Sequence, residues 1–175
     1  QGSKKGKKVV LNPLITCGEC EYCINKIEHL CPKRVLLGMN RPIERQGCFA
    51  EMVLTPDKNI YELPNGLDIK LAPIAEPTAV SLHAVELGIS TLKKPLDQCN
   101  VLVIGGGAIG LLCALILEKV KKCKDILLSE PNTKRLQVCK NNLSSNCINP
   151  NNKEINQNYF DIIFDTVGME ATRQS

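Results

Sequence analysis

Cys17, Cys20, Cys23 and Cys31 stand at C-x2-C-x2-C-x7-C, and this spacing constrains the fold more than any other feature of the 175-residue chain. Four thiolates this close in sequence can close a tetrahedral shell around one zinc ion and leave no position for water, the arrangement of a structural site. Such a metal folds a loop and does no chemistry. An iron–sulfur centre competes, because ferredoxin-type runs also begin C-x2-C-x2-C and finish with Cys-Pro, as Cys31-Pro32 does. In those runs the last gap is about three residues; here it is seven, and no second set follows. Ligand number and spacing favour zinc, with unrelated thiols as the third reading.

Composition removes other classes. Apolar residues make up 43% and charged residues 23%, which suits a globular chain that stays in water. With three Phe, three Tyr and no Trp there is little surface on which to stack bases, so nucleic acid is not expected as a partner. The lysine runs Lys4, Lys5, Lys7, Lys8 and Lys119, Lys121, Lys122, Lys124 read as solvated faces. No apolar stretch approaches the roughly 18 residues that span a bilayer, and no apolar h-region follows the basic N-terminal residues. No membrane association is expected, and the chain reads as cytoplasmic. The remaining cysteines, Cys48, Cys99, Cys113, Cys123, Cys139 and Cys147, have no spacing pattern and suit free thiols in a reducing compartment.

The pattern of apolar residues divides the chain near Pro73 to Pro77. Before it, Val9-Val10-Leu11 running into Asn12-Pro13, the alternating Gly47 to Leu54, and Lys58 to Leu63 read as strands of a β-dominated lobe. After it, Thr78 to Leu87 reads as a helix capped by Thr78 and stopped at Gly88. Strand 101–104, helix 108–119, strand 126–128, helix 134–141 and strand 160–165 then alternate in the βαβ manner of a parallel sheet covered by helices. The expected class is α/β, with residues 1–77 as a partial β-rich domain and 78–175 as the first part of a Rossmann-type domain. About six strands make up such a sheet, so half is expected to be absent.

Gly105-x-Gly107-x-x-Gly110 follows an apolar strand and opens a helix. Glycine triplets also occur in turns for steric reasons alone, but this context favours a dinucleotide loop. Gly105 permits the tight turn, Gly107 lets backbone approach a pyrophosphate, Gly110 allows close helix–strand packing, and the helix from Ala108 and Ile109 aims its amides at the phosphates. Glu130, 20 residues beyond Gly110, ends the second strand, where a carboxylate can accept from ribose hydroxyls. Its charge opposes a 2′-phosphate and favours NAD over NADP. Lys134 and Arg135 soften that preference, since either could pair with a phosphate. Glu76, where the two lobes meet, is either an acid facing a substrate cleft or one that complements a helix dipole. His83 reads as a packed or hydrogen-bonded histidine, and His29 as solvent-facing beside a filled metal shell.

In this order the residues resemble the zinc-containing medium-chain alcohol and polyol dehydrogenases. The motifs that carry it are Gly6 to Val9, Cys17 to Cys31, Gly47 to Glu51, Glu76 to Ala84, Gly105 to Gly110 and Phe164-Asp165-Thr166-Val167-Gly168. Glu76-Pro77 is similar to the sorbitol, sugar-alcohol and threonine branch. The resemblance implies a GroES-like catalytic domain followed by a Rossmann domain, with Cys17, Cys20, Cys23 and Cys31 on the structural zinc. It places Glu76 beside a separate catalytic zinc, as ligand or as acceptor for its water. It also places Val167 and Gly168 along NAD, while Asp165 reads as structural. The implied activity is hydride transfer from a small alcohol or polyol to NAD, by an enzyme that pairs as a homo-oligomer.

Two further motifs of the family, a cysteine and a Gly-His-Glu segment that complete the catalytic site, are missing: His29 precedes Leu30 and His83 precedes Ala84. The chain accordingly reads as an internal fragment, inactive alone. The alternatives are a threonine-like amino-alcohol dehydrogenase and a non-catalytic, zinc-clipped module that contacts an acidic partner through its basic N-terminus. Glu130 at its distance from the glycine loop argues against the module.

Overall fold

A turn at Asn12-Pro13 begins the first unit's architecture. Pro13 has no N–H to give, and the Asn12 side chain accepts from the Leu14 N–H, marking the break between two short strands that join different ladders. The computed structural model describes residues 4–39, 45–156 and 158–173, and the chain divides into two units, Gln1–Ala75 and Glu76–Ser175. In the first, β1 (Val9–Leu11) and β2 (Leu14–Ile15) flank that turn. They are followed by a helical turn α1 (Glu21–Ile24), β3 (Val35–Leu36) and β4 (Ile60–Glu62). β1 pairs antiparallel with β4, and β2 with β3. Asn59 links the pairs: it is buried, and its amide donates to the carbonyls of Asn12 (2.9 Å) and Leu14 (2.7 Å).

The strand expected over Gly47 to Leu54 does not form. Residues 45–56 carry no regular structure, and Phe49, Met52 and Leu54 are exposed. Alternation alone does not make a strand: a ladder and a buried face hold one in place, and neither exists for this segment among the described residues.

The second unit opens with α2 (Ala75–Ser90). Thr78 is therefore inside the helix rather than its cap. Pro77 falls in the first turn, where an N–H has no helical partner to lose. Gly88 does not stop the helix either; it is a packing residue. A Cβ there would meet the Phe164 ring at 2.7 Å and Ile162 at 2.8 Å, so only glycine lets α2 lie against β8 (Ile162–Asp165).

β5 (Asn100–Ile104) is central, in the parallel order β7-β6-β5-β8 with β6 (Asp125–Ser129) and β7 (Asn146–Ile148). This is the order 3-2-1-4 of a doubly wound sheet, four strands where the sequence pattern suggested three, the added one being β7. Val101, Leu102 and Val103 are all buried, as a central parallel strand covered on both faces requires. α3 (Ala108–Leu115) presses Cys113 and Ala114 onto the core and continues as a π-type turn over Ile116–Val120, which buries Ile116 and Leu117. α4 (Thr133–Asn142) is capped by Asn132, whose side chain accepts from the Lys134 and Arg135 N–H groups, and α5 spans Glu170–Arg173. Glu118 fastens the start of β7 by accepting from the N–H groups of Ser144 (2.9 Å) and Ser145 (2.8 Å). No helix of the described residues is long and apolar enough to cross a membrane.

Candidate functional site

Cys17, Cys20, Cys23 and Cys31 converge on one point. Their sulfurs lie within 4.8 Å of one another, with close pairs at 3.5 Å (Cys20–Cys23), 3.7 Å (Cys31–Cys17) and 3.8 Å (Cys17–Cys23). A zinc ion with bonds of about 2.3 Å in tetrahedral geometry sets its sulfurs about 3.8 Å apart, so the donor set matches one zinc. A multi-iron cluster carries its cysteines on the outside of a cage, farther apart, and fits this spacing less well. Among the described residues this is the only group of three or more His, Cys, Asp or Glu side chains gathered as metal ligands.

The local backbone prepares the thiols. N–H groups of Glu19 and Cys20 aimed at Cys17 pull its pKa down to about 6, and neighbouring thiols add to this. The Cys23 N–H favours the Cys20 thiolate, but burial and the three other sulfurs outweigh it and push Cys20 up to about 11. Thiols so crowded cannot all ionise unless a cation is present. Lys33, paired with Glu19 at 2.8 Å, adds positive charge beside Cys17 and Cys20.

The glycine loop lies at the C-terminal end of β5. Gly105 has φ +98°, a conformation that favours glycine, and its N–H donates to the Ser129 carbonyl at 2.8 Å. Gly110 packs so closely that an added Cβ would collide with the Gly105 carbonyl oxygen and lie 2.7 Å from the Thr166 hydroxyl. Gly107 differs: no atom stands within 4 Å of where its Cβ would be. This space lies before the first turn of α3, where Ala108 and Ile109 contribute N-terminal amides. An anion is favoured at such a place by the free N–H groups and the helix dipole.

Glu130 is buried at 3% exposure. One carboxylate oxygen accepts from the Gly106 N–H and the other from the Asn132 N–H, both at 2.7 Å. It therefore fastens the glycine loop to the start of α4, and spare lone pairs leave it able to accept further hydrogen bonds. Arg135 is exposed on the first turn of α4. Val167 packs near Gly105, where its methyl would lie 2.7 Å from an added Cβ. Gly168 has φ +70°, and its N–H and that of Val167 both donate to the Asp165 carboxylate at 3.0 Å.

Glu76 is exposed on the first turn of α2 and belongs to no ligand cluster among the described residues. His83, farther along α2, and His29, within the cysteine loop, are both exposed. The loop has two supports that sequence reading passed over. The Thr166 hydroxyl donates to the Ile104 carbonyl (2.8 Å) and approaches that of Gly105 (3.4 Å). Cys139, fully buried, puts its sulfur 3.6 Å from the Gly106 carbonyl oxygen. Only the spacing of Thr166 after the β8 strand hinted at the first; nothing marked the second.

A family model described as the alcohol dehydrogenase GroES-like domain matches residues 1–65. The chain is 32% identical over 150 residues to the 2-dehydro-3-deoxy-L-galactonate 5-dehydrogenase of Pseudoalteromonas atlantica, a match covering 86% of this chain and 40% of that protein. It is 34% identical over 135 residues to the L-threonine 3-dehydrogenase of Bacillus licheniformis, covering 77% and 36%. Among solved structures, L-idonate 5-dehydrogenase of Escherichia coli matches with a TM-score of 0.78 at 28% identity, over 97% of this chain and 49% of that one. The chain thus spans about two fifths of the length of the curated relatives it matches. With the four-cysteine loop ahead of a parallel sheet whose first strand leads into the glycine loop, the chain is similar over most of its length to zinc-containing medium-chain alcohol and polyol dehydrogenases, and residues 1–65 match the alcohol dehydrogenase GroES-like domain.

Proposed function

We propose that the whole protein is a zinc-dependent dehydrogenase that moves a hydride between a secondary alcohol or polyol and NAD, and that this chain supplies its metal-clipped loop and the phosphate-binding part of its cofactor domain. The observation that carries the reading is the open approach at Gly107 before α3, in a loop otherwise packed against Thr166, Val167, Cys139 and Glu130. One position open among several closed ones is what a bound pyrophosphate requires. Gly105, Gly107, Ala108, Ile109 and Gly110 are assigned to the pyrophosphate, and Val167 and Gly168 to the far side of the cofactor. Glu130 is assigned to the ribose, where its charge favours NAD over NADP, and Arg135 to the rim.

Cys17, Cys20, Cys23 and Cys31 are assigned to a structural zinc, which would fix the loop and take no part in hydride transfer. A catalytic zinc does not fit the residues of this chain by themselves, since Glu76 gathers no second or third ligand among the described residues. Glu76 is proposed as one contributor to that site in the whole protein. The 175-residue chain is proposed to bind cofactor without oxidising alcohols. Domain limits at 1–77 and 78–175 accompany this reading.

The test is a titration of the purified chain with NADH and NADPH, followed by the nicotinamide fluorescence. Saturable binding that prefers NADH is expected; absence of binding to either would sink the cofactor assignment. Metal-dependent NADH production by the chain alone would refute its proposed inactivity. A second reading, an amino-alcohol dehydrogenase, is supported by the likeness to the threonine enzyme. Assay of the whole protein against polyols and L-threonine separates the two.

A further inference from the structure

Thr16, next to the first cysteine, is buried at 8% exposure and uses its hydroxyl in both directions. It donates to the Glu28 carboxylate at 3.2 Å and accepts from the Lys58 ammonium at 3.4 Å, while the Thr16 carbonyl accepts from the same ammonium at 3.3 Å. Thr16 and these two partners come from three separated segments. Glu28 begins the helical turn Glu28–Leu30 that delivers Cys31, and the Cys31 N–H donates to the Glu28 carbonyl at 3.0 Å. Lys58 belongs to the turn Asp57–Asn59, which the buried Asn59 anchors to the strands. Its ammonium also lies 3.9 Å from where a Gly18 Cβ would be, so it spans the backbone on both sides of Cys17.

We infer that Thr16 is a positioning residue for the metal loop, its hydroxyl joining the shoulder before Cys17 to the shoulder before Cys31 and both to the strand-anchored turn at Lys58. The inference rests on the proposal that the four cysteines bind zinc. The first and last ligands are 14 residues apart, and the largely buried Thr16 hydroxyl adds a link between them to those made by the ion and by the exposed Lys33–Glu19 pair. A hydroxyl has one donor and two acceptor sites, and this one uses the donor and one acceptor on charged partners, the stronger kind of hydrogen bond. Groups that orient metal ligands from outside the coordination sphere typically change metal retention about 10- to 100-fold when removed.

The experiment measures zinc release from the full 175-residue chain to an excess of a chromophoric chelator, for the wild type, Thr16→Val and Thr16→Ser. The visible spectra of the cobalt(II)-loaded proteins are recorded alongside. One zinc per wild-type chain is expected, with release about tenfold or more faster in Thr16→Val, altered cobalt bands, and recovery of both in Thr16→Ser. Glu28→Ala and Lys58→Met, at exposed positions, cut the same connections from outside if Thr16→Val does not fold, and each should speed release several-fold. Wild-type release rates in the variants that fold, or failure of Thr16→Ser to restore them, would overturn the inference. A wild-type chain that holds neither zinc nor cobalt would remove the metal reading itself, and the inference with it.

Discussion

Gly107→Ala and Gly110→Ala each add one methyl to the same loop, with opposite consequences. At Gly107 the backbone (φ −73°) is open to any residue and no atom lies within 4 Å of the new methyl, so stability should change by no more than about 0.5 kcal/mol. The methyl would occupy the approach assigned to the phosphate. Losing one charge-assisted hydrogen bond there costs about 1.5–3 kcal/mol, which weakens NADH binding roughly 10- to 150-fold. At Gly110 the methyl meets the Gly105 carbonyl oxygen, with the Gly105 carbonyl carbon at 2.9 Å and the Thr166 hydroxyl at 2.7 Å. Two of these atoms are backbone, so α3 must move away from the loop. Overpacking of this kind costs about 1–3 kcal/mol, or roughly 5–20 °C of melting temperature for a domain of this size. Thermal unfolding by circular dichroism and NADH fluorescence titration on both variants decide the matter. Unchanged NADH affinity in Gly107→Ala would refute the phosphate assignment, and a wild-type melting temperature in Gly110→Ala would refute the packing argument.

Cys31→Ser, which removes a buried thiol of the proposed zinc site, should lower bound zinc from one per chain to near zero by elemental analysis and open residues 16–34 to proteolysis. Gly88→Ala should destabilise the second unit by about 1–3 kcal/mol through contact with Phe164 and Ile162, read as a lower urea midpoint with an unchanged slope. Glu118 supplies a pH dependence. Burial alone would raise its pKa, but the Lys119 ammonium and the Ser145 hydroxyl and N–H outweigh burial and hold it at about 2, against 4.5 unfolded. Its contribution is therefore complete above about pH 5 and declines as pH falls toward 2, and Glu118→Gln should flatten the fall of melting temperature across that window.

What could be read in advance was chemistry confined to a few neighbouring residues. The cysteine spacing and the glycine triplet depend on local backbone geometry, so Cys17 to Cys31 and Gly105 to Gly110 were legible without the fold. Positions governed by distant partners were not. Gly88 resembles a helix stop until the Phe164 ring appears across from it, and Gly47 to Leu54 resembles a strand until its pairing is sought. β3 and β7 are too short to show a period and exist because β2 and β6 offer ladders to them. Glu130 was visible as a carboxylate at the right distance, but its hold on the Gly106 N–H joins residues 24 apart and needs the folded sheet.

That hold ties two properties together. In dinucleotide folds generally an acid at the end of the second strand accepts from the ribose 2′-OH, and a nearby Arg accommodates a 2′-phosphate instead. In this chain the same carboxylate secures the buried Gly106 N–H and the more exposed Asn132 N–H, so replacing it leaves a buried donor without its acceptor as well as emptying the position proposed for the ribose. A route from NAD to NADP would need a second change to recapture the buried Gly106 N–H before, or together with, the loss of the charge. On the proposed assignment of Glu130 to the ribose, preference for the unphosphorylated cofactor is thereby protected by the folding of the loop as well as by repulsion.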